Sequence, residues 1–338
     1  MLNAAGQEEE LRIKQREIYY CNVKLLLIFT VVYGHMIESL TDSIEPLMQI
    51  YRVIYSVHMP LFLFLSGLFQ KSRRGCLQQI KRMFLYYAVC QTVVVIVGRM
   101  MGEQWSFTIP VWHLWYFFSL GTMAGIGWCW YTAIEHWKWL NNTAVKAILL
   151  ILMVLLACEA GEWNIIGRCL SLSRTVCFFP YFLAGMFCPI RMDWKRRHIR
   201  LAGITGLAAY LFLYIRMERI IPTELFYQAD SYGTLGIEQG PFLRLVCMLL
   251  AAALGLGLLT LIPQRRFFFS KLGTDTLGIY LLHAPLIKMM EQIGLPVRIW
   301  IGVSPVFAVV MIFFIYKLFQ WRNQLYSLST SVQGKLGQ

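Results

Sequence analysis

Charged side chains are scarce in this chain of 338 residues. Asp, Glu, Lys and Arg together make up 14%, against roughly a quarter in an ordinary soluble domain. Acids are scarcest, 18 Asp and Glu against 31 Lys and Arg. A surface so poor in charge, with 58% apolar residues and a mean hydropathy of +0.56, excludes a soluble globule. The chain also lacks a C-x-x-C pair, a low-complexity tract and a clear internal repeat. Its nine cysteines are odd in number, irregularly spaced and mostly inside or at the ends of apolar runs. They read as small buried hydrophobes and not as a disulfide framework. Strict apolar–polar alternation over about ten residues is missing too, which excludes a transmembrane barrel. The N-terminus is acidic, then basic, and runs into an apolar stretch long enough to span, which argues against a cleavable signal peptide.

What is present is a series of long apolar runs. A spanning helix needs roughly 20 apolar residues. Ten candidates centre near residues 25–40, 50–69, 80–98, 112–131, 144–159, 174–190, 199–215, 241–262, 272–291 and 299–320. The expected fold is therefore all-α, a polytopic helical membrane bundle of about ten spans. Residues 1–22 form an N-terminal segment, 23–320 the membrane domain and 321–338 a tail, with no room for a separate soluble domain. Residues 7–20 are expected to lie along the membrane surface as an amphipathic piece. The stretch 216–240 has no period and carries Pro222, Gly233, Gly236 and Gly240, so it reads as one long loop.

Cations fall mainly in alternate loops: Arg12, Lys14, Arg16 and Lys24; Lys71, Arg73, Arg74, Lys81 and Arg82; Lys138 and Lys146; Arg191, Lys195, Arg196, Arg197 and Arg200; Arg265, Arg266 and Lys271; and Lys317, Arg322 and Lys335 near the end. The positive-inside rule puts these loops and both termini in the cytoplasm. Most of this basicity reads as topology and attraction to anionic headgroups, and nucleic-acid binding finds little support.

Ionisable residues inside spans are costly, so each is a functional candidate. Lys24 and His35 lie eleven residues apart in the first span, about 16 Å along a helix, with Glu38 one turn beyond. His35 and Glu38, at i and i+3, share a face. A carboxylate beside an imidazole fixes its tautomer and supports its conjugate acid, which suits a general base. A structural His–Glu pair bridging helices fits the same residue types. A metal held by His35, Glu38, His58 and His283 is a further alternative, although no short metal-ligand spacing is present. Depth along the spans puts His35, His58 and His283 in one layer, with His113 beside Trp115 at an outer end. Arg52, Arg99, Arg174, Arg244 and Lys288 crowd the same side; any one alone reads as snorkelling, but Ser171, Ser173 and Thr175 accompany Arg174 and suggest a polar vestibule. Pro60, Ser66 and Gly67 predict a bent second helix with a close backbone approach.

Five segments in order resemble the membrane acyltransferase 3 family, especially its fucose O-acetylase-like branch. They are Lys24 to His35; Ser56-Val57-His58-Met59-Pro60-Leu61-Phe62 with Ser66-Gly67; Trp112-His113-Leu114-Trp115-Tyr116-Phe117; Arg174 through Phe179-Pro180-Tyr181-Phe182-Leu183-Ala184-Gly185; and Leu272-Gly273-Thr274-Asp275-Thr276-Leu277-Gly278-Ile279-Tyr280-Leu281-Leu282-His283. One position departs from the pattern. Cys21, with Asn22 beside it, stands where the family often has Asp three residues before the basic residue. The family's optional extracytoplasmic esterase-like domain is also missing.

The resemblance implies acyl transfer, usually acetyl, from cytoplasmic acyl-coenzyme A to an envelope carbohydrate hydroxyl at the plasma or inner membrane. Acetyl-CoA would be a substrate, with no permanently bound cofactor. On this reading His35 is the general base or a transient acyl carrier, and Glu38 orients it. Lys24, Lys71, Arg73 and Arg74 help hold the donor. His58, Ser66, His113, Trp115, Arg174 and His283 line the site. The expected partners are acyl-CoA, an envelope carbohydrate acceptor and membrane lipid. Two rivals remain: a transporter or flippase of a glycan or lipid-linked sugar, which lacks the inverted repeats such proteins often show, and an inactive sensory or partner-binding subunit.

Overall fold

The computed structural model describes the backbone of residues 4–217 and 220–336, and the side chains of residues 6–322 except 112, 218 and 219. The expected 321–338 tail beyond residue 322, with Lys335, and the Trp112 side chain fall outside the described side chains. Among the described residues there is no strand. Ten long helices coincide with the ten apolar runs: α1 (Ala4–Ile37), α2 (Glu45–Phe69), α3 (Arg73–Met100), α4 (Trp115–His136), α5 (Thr143–Glu159), α6 (Leu172–Phe187), α7 (Arg197–Met217), α9 (Gly240–Leu261), α10 (Thr276–Glu291) and α11 (Val297–Leu336), with the one-turn α8 (Tyr232–Leu235) between α7 and α9. Eight are long and apolar enough to cross a membrane. The other two are α4, whose apolar run is diluted by Trp, Tyr, Gly and Ser, and α10, which at 16 residues rises only about 24 Å. The chain is an all-α polytopic membrane protein.

Several boundaries follow from local chemistry. Ser72 caps α3 by accepting from the Gly75 amide at 3.1 Å, and Asn142 caps α5 by accepting from the Ala144 amide at 2.8 Å. These side chains satisfy donors that a helix start leaves open. Two expectations are corrected. Residues 7–20 do not break away as a surface piece: α1 is one helix of 34 residues, about 51 Å long, continuous across residue 22. Glu8–Arg12 and Glu10–Lys14 pairs at i,i+4 spacing run along its exposed first turns. The run at 272–291 becomes helical only at Thr276, because Phe268–Thr274 forms 3-10 turns that bring Gly273 against the Cys21 carbonyl.

The chain divides into two compact units: Met1–Ile54 with Leu261–Gln338, and Tyr55–Thr260. In the first, α1 packs against α10, α11 and the Phe268–Thr274 turns. Trp300 of α11 donates to the Met36 carbonyl at 3.0 Å, satisfying one of the acceptors left at the end of α1. In the second, α3 packs on α4, and α6 on α4 and α5. The close approach expected at Gly67 is present. A methyl on Gly67 would overlap the Phe182 carbonyl of α6, and one on Gly185 would overlap the Phe64 carbonyl of α2. The two backbones touch there, which small residues allow. The helix α2 runs uninterrupted through Pro60. The expected long loop is partly ordered by 3-10 turns at Thr223–Tyr227 and by α8.

Candidate active site

In the first unit, the end of α1 carries His35, and the chain tightens into a 3-10 turn at Glu38–Leu40. This turn swings Glu38 back so that its Oε2 lies 3.0 Å from His35 Nδ1. The carboxylate can only accept, so Nδ1 carries the hydrogen and Nε2 is left with the lone pair. Tyr51 of α2 also hydrogen-bonds Glu38, and the Lys288 ammonium of α10 acts on it through charge. His35 is partly accessible, with 27% of its side chain exposed, so a substrate can reach the ring.

His283 of α10 meets His35 with ring centroids 5.2 Å apart and a tilt of 38°. It is fully buried, and its Nδ1 donates to the Tyr280 carbonyl one turn back at 2.7 Å. That bond puts a hydrogen on Nδ1. His35, Glu38 and His283 thus come together in this unit, while His58, expected in the same layer, belongs to the second unit. Lys24 lies lower on α1 and half-buried. Asn22, next to the departing Cys21, is 3% exposed, and its Nδ2 donates to the carbonyls of Pro263 and Arg265 at 2.8 and 3.1 Å. It clips the loop before α10 to α1. Sequence reasoning passes over this role, and a polar residue in an apolar stretch is the signal that could have raised it.

The remaining candidates belong to the second unit. His58 of α2 is 3% exposed and meets the edge of Tyr55 at 4.8 Å, and Tyr55 in turn meets Tyr227 at 5.3 Å. Arg174 donates through Nε to the Tyr227 carbonyl at 3.1 Å and lies over the Trp115 ring at 5.1 Å, a cation–π contact. Trp115 stacks on Phe178 at 5.4 Å. His113, two residues before Trp115, is buried in the turn preceding α4. The hydroxyls around Arg174 are engaged: Ser173 donates to the Gln228 carbonyl and Thr175 to Ser119, each at 2.8 Å. Leu170, Ser171 and Gln228 all hold left-handed backbone, an uncommon strain for non-glycine residues that concentrates at functional sites. Ser66 donates to the Phe62 carbonyl at 2.9 Å and pairs with the Tyr116 hydroxyl at 3.0 Å.

The cations expected to hold a donor differ in how far they are already committed. All three Lys71 N–H groups are used, on the carbonyls of Gly185, Met186 and Cys188 at 2.9, 2.7 and 2.7 Å. They cap the end of α6, and burial pushes the Lys71 ammonium down to about 8. Arg73 pairs with Glu135 at 2.9 Å, with both side chains about half exposed, while Arg74 is exposed. Arg244 does not snorkel. It is 0% exposed, donating to the Ala157 carbonyl at 3.2 Å and to Cys177 Sγ at 3.1 Å, with Tyr232 under its guanidinium at 4.5 Å.

A family model described as an acyltransferase domain matches residues 18–318. The chain belongs to the acyltransferase 3 family. No curated protein and no solved structure matches it. Membership makes this membrane protein an acyltransferase and sets aside the transporter reading.

Proposed function

We propose that this acyltransferase moves an acetyl group from cytoplasmic acetyl-coenzyme A to a hydroxyl of a cell-envelope carbohydrate, with His35 as general base. The observation that carries the reading is the 3.0 Å pair of His35 and Glu38, with the His283 ring against it. Glu38 holds His35 in the tautomer whose Nε2 is basic. As the acceptor oxygen attacks the thioester carbonyl, its proton passes to Nε2. The tetrahedral intermediate then collapses, the carbon–sulfur bond breaks, and Nε2 returns the proton to the departing thiolate. The Glu38 carboxylate stabilises the imidazolium formed in between.

On this reading both termini are cytoplasmic and the protein crosses the plasma or inner membrane. In the first unit the donor's phosphates meet Lys24 by charge; Arg73 and Arg74 are candidate donor cations of the second unit. Lys71 is assigned to the end of α6, because its three donors are occupied. Trp115, Arg174 and the residues around Tyr227 suit a carbohydrate, which presents apolar ring faces and many hydroxyls. His58 borders that region through Tyr55, Ser66 through Tyr116, and His113 in sequence. The test is His35→Ala expressed in cells lacking their own copy. Mass spectrometry of envelope glycans should show loss of the O-acetyl groups that the wild-type chain restores. Full acetylation by His35→Ala at matched expression would overturn the proposal.

A further inference from the structure

Beside Asn22 lies a cavity of about 350 Å³, bounded by α1, the loop before α10 and α11. Its walls include Leu26, Phe29, Phe267, Leu272, Val309 and Ile312, and among the described lining residues Asn22 is the only polar one. From Asn22 to Phe29 it follows seven residues of α1, about 10 Å, or one third of a hydrocarbon core of about 30 Å. Leu25, Leu26 and Phe29 are half-buried and Phe267 is 40% exposed, so the apolar wall continues to the outside of the unit. The loop at its mouth reads Arg265-Arg266-Phe267-Phe268-Phe269-Ser270-Lys271, with Phe268 84% exposed. Among the described residues, no carboxylate pairs with Arg265, Arg266 or Lys271. Exposed phenylalanines beside unpaired cations suit the boundary between acyl chains and anionic headgroups.

Asn22 supplies a second, independent pointer. Its Nδ2 is fixed by the Pro263 and Arg265 carbonyls, which leaves Oδ1 buried without a hydrogen-bond partner. A buried acceptor in that state is costly unless a ligand brings a donor. The bond to the Arg265 carbonyl puts this acceptor at the basic end of the cavity.

We propose that this cavity is a specific site for an anionic glycerophospholipid. One acyl tail lies along α1 between Phe29 and Ile312, the phosphate lies against Arg265 and Arg266, and a headgroup hydroxyl donates to Asn22 Oδ1. Phosphatidylglycerol has all three parts, whereas phosphatidylcholine has neither the net charge nor the hydroxyl. The site is separate from the His35 chemistry. Because the same loop leads into α10, which carries His283, an occupant steadies that connection.

The full chain would be reconstituted in phosphatidylcholine nanodiscs doped with phosphatidylglycerol bearing a photoreactive diazirine in one tail, and adducts mapped by peptide mass spectrometry. Adducts should concentrate on peptides containing Leu26–Phe29 and Val309–Ile312, several-fold above those from a phosphatidylcholine probe of the same tail. The Arg265→Gln, Arg266→Gln double variant should remove that headgroup preference. Filling the cavity with Leu26→Trp should cut the adducts on α11 several-fold; Val309→Phe serves if the first variant does not fold. Equal labelling by both probes, labelling spread evenly over the apolar helices, or labelling indifferent to cavity filling would each overturn the proposal.

Discussion

If Glu38 orients His35, removing its charge while keeping its shape should slow the reaction by a modest and calculable factor. The substitution is Glu38→Gln. The amide oxygen can still accept from His35 Nδ1, so the tautomer survives, while the charge that stabilises the imidazolium is lost. A hydrogen bond to a charged group contributes about 1.5–3 kcal/mol. The Glu38 side chain is 53% exposed, and solvent screening puts this pair at the lower end. About 1.5 kcal/mol at the transition state is roughly tenfold in rate. Glu38→Leu also frees the tautomer, so it should lie between that value and His35→Ala, for which loss of a general base costs about 10²- to 10⁴-fold. The assay is thiol release from acetyl-CoA by inverted membrane vesicles that contain the endogenous acceptor. The maximal rate should fall in the order Gln, Leu, His35→Ala, with the KM for acetyl-CoA unchanged. Wild-type rates for both Glu38 variants beside an inactive His35→Ala would refute the orienting role. A rise in KM alone would move Glu38 from the chemistry to donor binding.

Three further outcomes follow from the same geometry. Lys71→Met leaves three carbonyls at the end of α6 without their donor, so it should lower the thermal unfolding midpoint in detergent while leaving the KM for acetyl-CoA unchanged; a raised KM at unchanged stability would return Lys71 to the donor site. Gly185→Ala puts a methyl onto the Phe64 carbonyl and should destabilise by about 1–3 kcal/mol or more, whereas Gly125→Ala, which meets nothing within 4 Å, should melt like wild type. Arg168 bonds Asp230 through two 2.8 Å contacts that hold the Asp230 carboxyl below its ordinary range. A depressed folded-state value means the pair stabilises the 223–236 segment above about pH 4 and lets go as pH falls through that lower value. Limited proteolysis of this segment should therefore rise in acid, and Asp230→Asn should show the same sensitivity already at neutral pH.

The sequence carries the helices almost completely, because each is an apolar run with its own length and caps. His35 and Glu38 are legible for the same reason: two residues three apart on one helix need no tertiary information, and the 3-10 turn only closes the distance. Depth counting puts His35 and His283 in one layer, but that their rings meet is tertiary information. Partners that are backbone carbonyls are not legible. Every residue offers one, so nothing in the sequence says that Lys71 will gather three from α6, that Asn22 will hold Pro263 and Arg265, or that Arg244 will turn inward to Ala157 when a cation at that depth can equally snorkel. The continuity of α1 is missed for a related reason. Its first turns read as a separate amphipathic piece, but i,i+4 ion pairs run along them and the helix stays intact.

The departure at Cys21 gains a physical meaning from the same contacts. The Cys21 carbonyl lies so close to Gly273 that no side chain fits at that glycine, and the adjacent Asn22 spends both amide hydrogens on the loop that follows α9. An Asp in place of Cys21 would bring a carboxylate into a crossing of α1 with the Phe268–Thr274 turns, three residues from Lys24. This chain instead ties the crossing with a neutral amide one position later, leaving Lys24 without a carboxylate at that spacing. Neutral clipping holds the loop and so the start of α10; on the proposed function, it also leaves the Lys24 charge to an anionic donor. Restoring the family residue by Cys21→Asp should then lower, not raise, the affinity for acetyl-CoA, read as an increased KM in the vesicle assay; an improved KM would mean that the carboxylate orients Lys24 and that Asn22 is only a partial substitute.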